Sequence, residues 1–112
     1  MLEFDDVHPM GRDSAIAAFA SEDPGEICNA LVAVAMFDDD WRWGQDTCLR
    51  FLNHDNLNIC ALAATCLGHI ARIHGRIDRE IVLTAIKGKM SNLTIKGILE
   101  DACEDIETFA NS

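Results

Sequence analysis

The chain has 112 residues, of which 49% are apolar and 25% charged, a globular composition at a length that fits one domain and excludes a disordered tail. By surface scaling, a chain of this size hides about two-thirds of the surface its unfolded form exposes, so no disulfide or metal is needed to hold it together. The formal charge of −10 opposes any phosphate backbone, whose affinity for proteins is carried by cations, so nucleic acid is not an expected partner.

Helical periodicity dominates and strand signals are weak: there is no Tyr and little alternation of β-branched residues. The acidic start MLEFDDVHPM is expected to form an N-terminal tail over residues 1–11 of a single domain, 1–112. A first helix is expected from about Asp13 to Ala20. Ser21-Glu22-Asp23-Pro24 reads as a turn and a helix start, with Pro24 presetting φ in the first turn and Glu26 favourable at the positive end of the dipole, and this second helix should run to about Phe37. Asp38 to Asp40 offer a cap for a third, in which Trp41, Cys48 and Leu52 share one face, ending near Asn53. The clearest helix runs from Asn56 to His74, where Ile59, Leu62, Ala63, Cys66, Ile70 and Ile73 recur at helical spacing and Gly75 supplies the stop. Asp78 should cap a shorter fifth helix carrying Ile81, Val82, Ala85 and Ile86 and broken around Gly88. Asn92 should cap a sixth, carrying Ile95, Ile98, Leu99, Ala102, Ile106 and Phe109.

An internal repeat links these helices. Residues 19–28, Phe-Ala-Ser-Glu-Asp-Pro-Gly-Glu-Ile-Cys, lie over residues 51–60 with an offset of 32, and Phe, Asp, Ile and Cys are identical. A third copy at residues 90–95 is offset by 36 from the second and keeps the Ile and the polar turn. All three fall at the turn between two helices. A helix pair with a polar, Asp-containing turn repeating every 32 to 36 residues resembles the HEAT-type α-solenoid over about residues 12 to 110. The best copy is Phe51-Leu52-Asn53-His54-Asp55 with Ile59, Ala61, Ala63, Ala64 and Leu67-Gly68; the third departs at Lys87-Gly88-Lys89 and at Ser91. The resemblance implies an all-α fold, a short right-handed α-solenoid of about three antiparallel helix pairs.

Candidate sites follow from charge and helical face. Residues 1–40 carry ten acids against Arg12, residues 41–99 eight bases against four acids, and the remainder five acids and no base. In HEAT-like arrays second helices line the concave surface, so Thr65, His69 and Arg72, at i, i+4 and i+7, form either a binding groove or a solvated face. Cys66 and His69 are three apart, but no close cysteine pair anchors a metal set and no third group orients a nucleophile, so no cofactor, metal or enzyme activity is expected. The five cysteines read as small buried hydrophobes. Trp41 is expected toward the core and Trp43 outward, either as an interface anchor or covering a seam between helix pairs. Asp38, Arg42, Asp46 and Arg50 read as an i, i+4 ladder supporting their helix. Glu100, Asp101, Glu104, Asp105 and Glu107 are unpaired within their helix, which fits either a solvated end cap or a face for a cationic partner.

The block Trp41-Arg42-Trp43 with Gln45-Asp46, the stretch from Cys66 to Gly75, and Glu100-Asp101-Ala102 resemble small HEAT-like immunity proteins of bacterial polymorphic toxin and contact-dependent growth inhibition systems. That resemblance implies a cytoplasmic, cofactor-free protein that neutralises a cognate toxin domain by blocking its active site or its access to a host factor. A basic nuclease domain is the expected toxin, since an acidic binder can occupy a phosphate cleft. Partner contacts are expected at Asp38, Asp39, Asp40, Trp43, Asp46, Glu100, Asp101, Glu104 and Asp105, with His69 and Arg72 in the groove. The alternative is a generic HEAT-like adaptor or assembly subunit without a toxin. Neither reading involves a membrane: the longest apolar run read from the sequence, residues 30–37, is too short to cross one.

Overall fold

The computed structural model describes residues 8–110. Residues 1–7 of the expected tail lie outside the described residues; of the rest, Met10 is half-buried and packs on the core. Six helices follow in order: α1 (Arg12–Ala20), α2 (Pro24–Phe37), α3 (Trp41–Phe51), α4 (Leu57–His74), α5 (Arg79–Lys87) and α6 (Lys96–Phe109). No strand occurs among the described residues.

The helices associate as successive pairs, α1 with α2, α3 with α4 and α5 with α6. The second helices also form a row, because α4 packs against both α2 and α6. This is an all-α, repeat-like arrangement, and the internal repeat marks its equivalent points. Ile27, Ile59 and Ile95 are all buried, and the rings of Phe19 and Phe51 lie 5.1 Å apart, tilted by 42°, so a residue and its repeat mate pack against each other.

Burial follows from position in that row. α2 and α4 are enclosed and nearly apolar all round: Ala30, Leu31, Val32, Ala33, Val34 and Ala35 are consecutive buried residues, and α4 buries eleven. α1 and α5 pack on one side only and bury Ala15 in one case, Val82 and Ile86 in the other. Among the described residues α4 is long and apolar enough to cross a membrane, with 18 residues at mean hydropathy 1.2, but 61% of it is buried among its neighbours.

Helix starts differ from one another in how they are secured. Asp23 accepts from the N–H groups of Gly25 and Glu26, Asp40 from that of Trp43, and Asn56 from those of Asn58 and Ile59. Two expected caps do not form. Asp78 makes no capping bond because its carboxylate is taken by α3, and Asn92 accepts instead from Thr94 N–H within a turn, leaving Ile95 at the start of α6. Gly75 ends α4 with φ 66°, the left-handed conformation that a Cβ disfavours.

Several expected core positions are on the surface. Ile73, Ile81, Ile98 and Phe109 are exposed. Ile73 and Phe109 lie in the last turns of α4 and α6, and Ile81 and Ile98 on faces of α5 and α6 that no neighbouring helix covers, which periodicity does not reveal.

Candidate functional site

The acidic corner is built where α2 hands over to α3. Asp38 accepts from the N–H of Asp40 at 2.8 Å, and Asp40 accepts from the N–H of Trp43 at 3.1 Å. Arg12 reaches across from α1 to Asp40 at 3.3 Å and Asp38 at 3.6 Å. The Trp43 amide and the Arg12 guanidinium hold the Asp40 carboxyl below the usual carboxylate range. The Arg12 guanidinium also stacks on the Trp43 ring, 4.1 Å from its centroid.

Trp43 packs against Ala15, Ala30 and Val34, so it covers the seam between α1, α2 and α3. Of the two roles open to it, the structure places it in the seam. Trp41 is half-buried too and packs against the main core as expected, with Arg42 4.7 Å and Arg76 5.7 Å from its ring centroid. The surface ladder is corrected as well: Arg42 pairs with Asp78 at 3.2 Å, and Arg50 lies over the rings of Phe19 and Phe51. Asp39 and Asp46 are exposed.

Sequence reasoning missed Gln45. Its side chain is buried, donates to Asp78 Oδ2 at 2.8 Å and accepts from Asp78 N–H at 2.6 Å, which ties the α4–α5 connection to α3. The only signal was its place on the face of α3 that carries Trp41 and Cys48, four residues after one and three before the other.

The expected open groove on α4 is partly closed. His69 is buried, not presented to solvent. Arg72, exposed, donates to its Nδ1 at 2.6 Å, which requires the neutral ring; burial, with Arg72 beside it and against the opposing pull of Asp105, pushes the imidazole below its ordinary value. Gly68 leaves room for Asp105: a Cβ there would stand 3.2 Å from the carboxylate and 3.7 Å from the Ala102 backbone. Asp105 is thus half-buried in the α4–α6 contact, whereas Glu100, Asp101, Glu104 and Glu107 are exposed. The structure therefore separates the candidates into a corner at Asp38–Trp43, a ridge on α6 and a packed cluster at His69, Arg72 and Asp105.

Four of the five cysteines, Cys48, Cys60, Cys66 and Cys103, are buried, and Cys28 is half-buried. Cys66 is pushed well up by its hydrogen bond with Cys48 and by burial, burial raises Cys28, Cys60 and Cys103, and Cys60 Sγ donates to the Leu52 carbonyl at 3.1 Å. Among the described residues no group of three His, Cys, Asp or Glu is arranged to hold a metal ion.

No family model and no curated protein matches the sequence. Among solved structures, a chain of the CDI complex from Cupriavidus taiwanensis superposes with a TM-score of 0.83 at 23% identity, over 97% of this chain and 96% of that one. At that identity the likeness establishes a shared fold over the full length of both chains.

Proposed function

We propose that this chain is an immunity protein: a non-enzymatic, cytoplasmic binder that neutralises a cognate bacterial toxin domain by covering its active site or its access to a host factor. The observation that carries the reading is the end-to-end likeness to a chain of a CDI complex, which agrees with the resemblance to immunity proteins of contact-dependent inhibition systems. The charge of −10 favours a basic toxin domain, a nuclease above all, because opposite charge speeds encounter and an acidic surface can stand in for phosphates. The contacts are placed on the exposed acids: Asp39, Asp40 and Asp46 beside Trp43, and Glu100, Asp101 and Glu104 on α6. Asp38, Asp105 and His69 support those faces from within, and the exposed Arg72 covers His69.

The test is co-production. A compact basic domain encoded at the end of the neighbouring large reading frame should arrest growth when made alone, and this chain should restore growth and co-purify with the domain in a salt-sensitive complex. Continued arrest with the folded chain present would overturn the reading. So would affinity capture that returns only housekeeping assemblies, the outcome expected of an adaptor.

A further inference from the structure

Between the C-terminal ends of α1 and α3 lies a groove of about 780 Å³, lined by none of residues 38–40 and by no residue of α6. Its floor is the half-buried Phe19 ring over the buried Phe51, on which the His54 ring also stacks at 6.0 Å, and Ile16, 51% exposed, borders it. Glu22 and Asp55, from the turns of the first two helix pairs, line it as well; among the described residues neither carboxylate has a hydrogen bond or ion pair. The floor already carries one guanidinium: Arg50 lies 4.8 Å from the Phe51 centroid and 5.8 Å from that of Phe19, with no ion pair of its own. One cation against two carboxylates leaves the groove negative.

The backbone at Glu22 is a separate observation. Its φ is 64°, close to the 66° of Gly75 where α4 ends. At one helix end the chain uses glycine for the left-handed conformation, and at the other it holds a glutamate in it, against the steric preference of any residue with a Cβ. Glu22 directly follows Ser21, the C-cap of α1, where a left-handed residue is a common way to end a helix. Here it fixes a carboxylate at the mouth of an aromatic groove.

We infer that this groove receives an arginine side chain, flanked by an apolar residue, from a basic partner protein. The guanidinium stacks on the half-buried Phe19 ring beside Arg50 and pairs with Glu22 and Asp55, a combination of face and fork that suits arginine better than lysine. The apolar neighbour covers Ile16. The inference rests on the immunity reading for the partner's identity, the toxin domain, but the groove is testable without it.

The probe is an acetylated, amidated hexapeptide of alternating leucine and arginine, titrated at low ionic strength into isotopically labelled protein and followed by amide chemical shifts. Saturable shifts centred on residues 16–23 and 50–55 are expected. Glu22→Gly should keep or raise Tm, since it relieves the backbone, yet weaken binding; combined with Asp55→Asn, it should weaken binding by about tenfold. A structural role for Glu22 would not separate stability from affinity in this way. Shifts centred on α6 or on residues 38–40, no saturable shift, equal binding of a leucine–glutamate peptide, or wild-type affinity in the folded double variant would each overturn the groove. A chain that passes this test but fails to restore growth beside the toxin domain loses the immunity reading and keeps the groove; the converse loses the groove alone.

Discussion

Asp38–Asp40 and the acids of α6 are alike in sequence, short clusters with scarcely a base nearby, but the fold treats them differently. In the first, Asp38 and Asp40 are spent on backbone N–H groups and on Arg12, a residue from another helix. In the second, Glu100, Asp101, Glu104 and Glu107 are exposed and take part in no ion pair among the described residues, while Asp105 alone turns inward against Gly68. The lesson is that acidic residues near a helix start serve the helix first, and acids along the body of a terminal helix are left available to a partner.

The largest expected effect tests the platform on which the bare acids stand. Leu99 is fully buried where α6 packs, and Leu99→Ala should cost about 2–5 kcal/mol, read from urea unfolding. Next comes the helix that Asp40 caps. Gln45→Ala removes both bonds to Asp78 and should cost about 1–3 kcal/mol, with the α4–α5 connection gaining hydrogen exchange.

A smaller effect distinguishes the clusters by pH. Because the Asp40 carboxyl is held below its ordinary value in the folded state, its contribution is complete above that ordinary value and is lost as pH falls through the lowered one. The Tm difference between wild type and Asp40→Asn should therefore be constant near neutrality and close in strong acid. The smallest stability effect belongs to α6: Glu100→Lys, Asp101→Lys and Glu104→Lys together should change stability by only a few tenths of a kcal/mol per pair, upward as like-charge repulsion is relieved. The same variant should slow association with a basic toxin domain at low salt. Unchanged association kinetics would remove α6 from the interface.

The helices were legible in the sequence because each is announced by local chemistry. Pro24, Asn56 and Gly75 act within one turn of themselves, and the apolar spacing of α4 needs no partner to be seen. The repeat was legible for the same reason: Ile27, Ile59 and Ile95 occupy one position in three copies, and all three are buried. The site was less legible. His69 sits off the apolar stripe of α4, yet Arg72 and α6 enclose it, and Trp43 sits off the stripe of α3, yet α1 and α2 cover it.

Local periodicity and capping thus determined the number and order of the helices and most of their ends, since each depends on contacts within a few residues, while the start of α6 escaped them. Which acids are neutralised, which tryptophan closes a seam, and that Phe19 meets Phe51 beneath Glu22 and Asp55 were decided by tertiary structure alone. Those outcomes depend on distances between residues about 28 to 36 positions apart, and only the packing of one helix pair on the next sets such distances.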